Sequence, residues 1–365
     1  MNDIDHDLRE MFRRREADLM GPVSAPPRIA SRIRRQQGVT LLAVALTTAA
    51  VIAGIVSGLS FIERADPTVP AVPMVPTHRN GEIAVRAGVG GGRDAIIQID
   101  PATGREVPLP IAGSTLRGWP YGPQTDLAWS PGGSALAYVR HGVWVLDVSS
   151  GDSQKVSSCG PGARSCTVAW SPDGSAIAVA HDDEIELMTT DGGNRTTLSS
   201  LGPGFSVRDP TWSPDGGRIA FVSSDGASDD LYVTDLSGSD PQVLVDLAPG
   251  NPSGVVSPAW SPDGSQIAYL SAEGEEPAWL LSVTVVETDG SIPTEIVQVG
   301  RCYCLGFLPG LAWSPDGTRM ALVIPAPGTG GGSANDGLYV MDADGTDLRL
   351  VRERAWGRPA WRPLP

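Results

Sequence analysis

The feature that most limits what this chain can fold into is a strand-and-turn unit written six times. LAWSPGGSALAYV ends at Val139, VAWSPDGSAIAVA at Ala180, PTWSPDGGRIAFV at Val222, PAWSPDGSQIAYL at Leu270 and LAWSPDGTRMALV at Val323, and PAWRPLP closes the sequence. The tryptophans are Trp129, Trp170, Trp212, Trp260, Trp313 and Trp361, spaced 41, 42, 48, 53 and 48 residues apart. Periods near 40–50 with strand-sized apolar runs fit propeller blades of four strands each. Ser-Pro-Asp-Gly is a type I turn sequence, and its proline holds the preceding serine extended, so the Trp segment stays a strand. Apolar second strands come after it (219–222, 267–270), then third strands ending in an acid (143–147, 231–235, 338–342). A glycine turn comes next (Gly151, Gly192, Gly238, Gly290, Gly345), and then a fourth strand such as 241–245. Hairpins of this kind account for the 44 Gly and 32 Pro in 365 residues.

The ends of the array complement each other. Residues 81–110 supply the second, third and fourth strands of a blade without a Trp strand, and the segment around Trp361 supplies a Trp strand with nothing after it. Joined, they make one blade, so a six-bladed ring is expected to close through residues near 356–363 and leave no open sheet edge. The WSPDG, (I/L)A(Y/F)(V/L)S, LYV-x-D and D-x-x-G elements resemble the TolB-type propeller repeat, a relative of the WD-repeat propellers, over about residues 81–365. The resemblance implies an all-β, six-bladed β-propeller. It says little about activity, because this repeat occurs in periplasmic accessory proteins, peptidase-associated propellers and extracytoplasmic binding modules. Gly132 stands in place of the turn aspartate, and Arg362 and Leu364 replace Ser and Asp in the last copy; looser turns are expected there.

Ahead of the array, residues 39–62 run 24 positions without a charge, enough for a helix of roughly 36 Å against a hydrocarbon core of about 30 Å. A 38-residue polar tail precedes this run, which favours an uncleaved transmembrane signal-anchor over a secretory signal peptide. Arg28, Arg32, Arg34 and Arg35 keep the N-terminus cytoplasmic and send the chain beyond residue 62 outside. The expected domains are a cytoplasmic Arg-rich tail (1–38), a transmembrane helix (39–62), a Pro-rich stalk (63–80) and the propeller (81–365). From Gly81 onward, 17 Lys+Arg face 34 acids, a net of −17, which argues against nucleic acid as a partner. Ala, Gly, Pro and Arg are abundant and Lys155 is the only lysine, a bias that points to an actinobacterial type of genome.

Most candidate chemistry reads as fold. Asp173, Asp215, Asp263 and Asp316 align as a carboxylate set, but each sits where aspartate bonds its own turn. The glycine runs 88–92 and 328–337 lack a Lys-Ser/Thr ending and read as loops between second and third strands. Asp225, Asp229 and Asp230 read as a turn rather than a cation site. No G-x-S-x-G and no metal-spaced histidine cluster is present, so no catalytic residue, cofactor or metal ligand is assigned. Cys159 with Cys166, and Cys302 with Cys304, are expected to pair locally, because the two pairs fall on opposite sides of the ring. The Cys302/Cys304 bridge would be tight, and a free or redox-active pair is its alternative.

These readings combine into a membrane-anchored extracytoplasmic binding module with a protein, peptide or cell-wall ligand at a propeller face. Transmembrane signalling of an anti-sigma-like or sensor type would add a cytoplasmic regulator on residues 1–38. The alternative is a propeller hydrolase or lactonase, which predicts a metal or carboxylates in the central channel.

Overall fold

The Ser-Pro-Asp-Gly turns set the local geometry. Gly174 N–H donates to the Ser171 carbonyl at 3.0 Å, and the same fourth-to-first bond is 2.8–2.9 Å at Gly133, Gly216, Gly264 and Gly317. These glycines have φ between 65° and 75°, a left-handed conformation that side chains resist. Gly132 leaves the bond intact, so that turn is not loosened as expected. In the last copy there is no turn, and the strand runs straight on through Leu364.

The computed structural model describes residues 78–365 apart from 91–92, 112–115, 118–125, 160–165, 203, 239–240, 248–253, 275–278, 303–308 and 326–335. The tail, the 39–62 segment, residues 63–77 of the stalk, Cys304 and the Cys302 side chain lie outside that description. No helix among the described residues is long and apolar enough to cross a membrane.

The strands come in antiparallel meanders. The first holds β1 (Arg79–Gly90), β2 (Arg93–Ile99) and β3 (Glu106–Pro108), with β4 (Leu116–Arg117) also on β2. Next come β5 (Leu127–Trp129), β6 (Ala135–Val139), β7 (Val143–Asp147) and β8 (Ser153–Ser157), then β9 (Cys166–Trp170), β10 (Ala176–His181), β11 (Glu184–Thr189) and β12 (Thr196–Ser200). An eight-stranded sheet joins β13 (Ser206–Trp212), β14 (Arg218–Ser224), β15 (Asp229–Asp235) and β16 (Gln242–Val245) to β17 (Gly254–Trp260), β18 (Gln266–Glu273), β19 (Trp279–Glu287) and β20 (Thr294–Cys302). Its two halves meet through one parallel pair, Asp229 with Gly254. The last sheet holds β21 (Gly310–Trp313), β22 (Arg319–Pro325), β23 (Asp336–Asp342) and β24 (Arg349–Glu353). Finally β25 (Ala355–Leu364) returns to the first sheet and pairs antiparallel with β1, Arg79 opposite Leu364 and Ile83 opposite Trp361.

The Trp strands neighbour one another in a cycle: β5 lies by β9, β9 by β13, β13 by β17, β17 by β21, β21 by β25 and β25 by β5. The core lies between meanders. Ile83 and Ile97 pack with Val323 and Leu338, while Ala84 and Ile96, on the other face of the same two strands, pack with Leu136 and Tyr138. The alternation of a strand's side chains therefore supplies both interfaces of each meander. The fold is an all-β propeller. Gly88 and Gly90 belong to β1 rather than to a loop, and a Cβ on Gly88 would press on Trp356 at 3.2 Å.

Candidate functional site

Three residues before each tryptophan, the repeats carry Asp126, Thr167, Asp209, Ser257, Gly310 and Arg358. Backbone bulges place several of them: the register shifts between Arg208 and Thr211 and between Val256 and Ala259, with Asp209 at φ 55° and Ser257 at φ 53°. The side chains then bond to the next Trp strand in turn. Val168 N–H donates to Asp126 Oδ2 at 2.6 Å, Asp209 N–H to Thr167 Oγ1 at 2.8 Å, Ser257 N–H to Asp209 Oδ2 at 3.2 Å, and Leu311 N–H to Ser257 Oγ at 3.0 Å. Pro210 and Pro258 have no N–H, so in β13 and β17 the bulged residue itself is the donor.

Gly310 breaks the series and Arg358 completes it. A Cβ on Gly310 would lie 2.6 Å from the Arg358 Cα, so the closing strand passes where a side chain would stand. Arg358 reaches past it to the Pro258 carbonyl (Nη2, 3.3 Å), to Asp126 Oδ2 (Nη1, 3.5 Å) and towards Asp209 Oδ1 (Nη1, 3.9 Å). Asp126 is 0% exposed and Asp209 1%. Burial pushes the Asp126 carboxyl up to about 6; the Arg358 guanidinium pulls it down and Asp209 adds to the rise.

From this polar ring a cavity of about 550 Å³ runs along the axis, lined by Arg358, by all six repeat tryptophans and by the prolines that follow them. The prolines are half-buried while the ring residues other than Arg358 are buried, so the mouth is at the proline end. Trp129, Trp212 and Trp313 each donate Nε1–H to an alanine carbonyl on the preceding Trp strand, at 3.1–3.3 Å. Trp260 Nε1, also buried, has no hydrogen-bond partner among the described residues. Arg362 lies 5.1 Å over the Trp129 ring and donates to the Gly133 carbonyl at 2.8 Å, so the residue that spoils the last turn ties β25 to its neighbour.

The structure brings the six tryptophans together and keeps the turn aspartates apart from the axis. Asp173 accepts from Ser171 Oγ (2.6 Å) and Ser175 N–H (3.0 Å), and these bonds hold its carboxyl down at about 2. Asp215 bonds Ser213 and Gly217 in the same way, Asp263 bonds Ser261 and Ser265, and Asp316 bonds Ser314 and Thr318. Asp225 caps its own turn through Ala227 and Ser228, Asp229 pairs with Arg208 at 2.9 Å, and Asp230 accepts from Leu247 N–H. Cys159 and Cys166 form a disulfide with Cα atoms 5.9 Å apart. Among the described residues no three His, Cys, Asp or Glu side chains group as a metal site. Sequence reasoning missed the polar ring. Its signal was a column of mostly polar residues at a fixed offset from each tryptophan.

Solved structures share this architecture. TolB from Acinetobacter baumannii superposes with a TM-score of 0.58 at 20% identity, over 77% of this chain and 66% of that one. A putative TolB from Agrobacterium tumefaciens gives 0.55 at 18%, over 79% and 99%. The described domain is a TolB-like β-propeller. A chain of a nidogen/laminin complex gives 0.54 at 12% identity, over 77% of this chain and 98% of that one. One family model, Gmad1, the lipoprotein LpqB beta-propeller domain, matches residues 186–362 of the TolB-like propeller. A search of curated sequences finds no match.

Proposed function

We propose that the chain is a membrane-anchored, extracytoplasmic, six-bladed propeller that binds a protein or peptide at the mouth of its central channel. The observation that carries the binding reading is the axial cavity, lined mostly by apolar and aromatic side chains with the Arg358 guanidinium at its base, the usual composition of a recognition pocket. The cyclic order of Trp strands supports six blades. The exported location rests on the 39–62 segment, the arginines before it and the Cys159–Cys166 disulfide, a bond that persists in oxidising compartments. The likeness to TolB and to the LpqB propeller domain fits an envelope role. The tail 1–38 is the proposed contact for a cytoplasmic regulator, and capture of no cytoplasmic protein by that tail would count against it.

A photo-crosslinking residue at Thr211, inside the channel, is expected to trap an envelope protein or peptide in cells. The same residue at Val243, on an outer strand, is expected to trap none. Adducts from Val243 alone would move the site off the axis. The hydrolase reading needs a carboxylate facing the channel, and Asp126, whose carboxyl burial raises to about 6, is fully buried and outside the cavity lining, which favours binding over turnover.

A further inference from the structure

The base of the channel carries more specificity than a generic apolar pocket. A guanidinium has five N–H donors. Among the described residues those of Arg358 make two hydrogen bonds, at 3.3 and 3.5 Å, both longer than usual, and the side chain keeps 14% of its surface while lining the cavity. The neighbouring carboxylates lie buried behind the guanidinium. Asp126 is fully buried and accepts from the Val168 and Leu127 amides, and Asp209, its side chain 2% exposed, accepts from the Ser257 amide through Oδ2 and keeps Oδ1, without a hydrogen bond among the described residues, 3.9 Å from Arg358. Behind Asp209 stands Arg208, 3.8 Å away and itself paired with Asp229. A ligand entering from the mouth therefore meets a cation with free donors, not the acids that hold it.

Arg358 lies three residues before Trp361 on β25, roughly 10 Å along the strand. An extended peptide of about three residues covers that depth. Its apolar side chains would lie against the tryptophans and prolines while its end reached the guanidinium. We infer that the channel takes the free C-terminal end of an apolar peptide, with Arg358 as the specificity-determining residue that binds its terminal carboxylate. Guanidinium and carboxylate match as a two-pronged, charge-assisted pair, which an amidated end cannot reproduce. This inference rests on the channel-binding reading and adds the chemistry of the ligand.

The test titrates the full-length chain with a pool of N-acetylated tripeptides of Ala, Val, Leu and Pro, prepared as free acids and as amides. Calorimetry and tryptophan fluorescence follow binding. The acids are expected to bind at least tenfold tighter than the amides. Arg358→Gln should erase that preference while leaving amide binding in place. Arg358→Lys, which keeps a charge beside Asp126 and Asp209 and so guards against simple misfolding, should retain only part of it. Equal binding of acids and amides by the natural chain overturns the carboxylate assignment and leaves channel binding standing. Binding of neither pool, with no fluorescence response, overturns both.

Discussion

Asp126 and Arg358 hold the same position relative to the first and last repeat tryptophans, and their side chains meet at the channel base, 3.5 Å apart, where the closing strand lies beside the first Trp strand. One is a fully buried acid and the other a cation delivered by the closing strand, so the contact couples an electrostatic balance to the closure of the ring.

That pair gives stability a pH dependence. An acid whose pKa rises on folding is accommodated well while protonated and becomes a burden as it ionises. For Asp126, raised by burial to about 6, the burden is absent below pH 4 and complete above pH 6. Asp230, also raised by burial, has the same sign. Asp173 acts in the opposite sense and at lower pH, its contribution being lost only as pH falls below 4 towards 2. Asp126→Asn is therefore expected to flatten the stability profile between pH 4 and 6 by on the order of 3 kcal/mol. Denaturant melts at half-unit intervals measure this; an unchanged slope would show that Asp126 is not the group titrating.

Gly310→Ala should destabilise the propeller by about 1–3 kcal/mol, because the new Cβ meets the Arg358 Cα at 2.6 Å and the Gly357 carbonyl at 2.8 Å. Both are backbone atoms that cannot swing aside. Gly132→Asp restores the repeat's own residue where nothing lies within 4 Å, and should be neutral. Equal losses from the two changes would contradict the close passage of β25.

The tryptophans are expected to differ despite their shared place in the repeat. Trp129→Phe leaves the Ala360 carbonyl without its 3.1 Å donor, whereas Trp260→Phe removes an N–H that has no partner among the described residues. The first should cost about 1 kcal/mol more than the second, read from denaturant midpoints at constant m-value.

Removing 355–365 deletes β25, and with it the partner of β1 and the Arg358 contacts. The expected result is loss of the single cooperative thermal transition by circular dichroism. A truncated chain that melts like the parent would show that the seam is dispensable.

The turns were legible in the sequence because they are local. Ser171, Asp173 and Gly174 bond to one another and to the adjacent Ser175, so a few neighbouring letters suffice to read them. The polar ring was not, because its residues share a place and not a chemistry. Asp126 and Thr167 accept, Gly310 vanishes and Arg358 donates, and each finds its partner only when curvature brings the next strand within reach. Arg362 misled for a similar reason: as a broken turn it reads as a defect, and only the position of Trp129 reveals its use.

Pairing β1 with β25 puts residues 79 and 364 side by side in one sheet, with Arg79 also bonded to the Pro365 carbonyl at 3.1 Å. Tension entering the domain at either extremity is therefore shouldered by one seam, while the meander holding β13 to β16 is mechanically remote. A pull applied through residue 78 would tug on the strand that presents Arg358 before it disturbed any other wall of the channel.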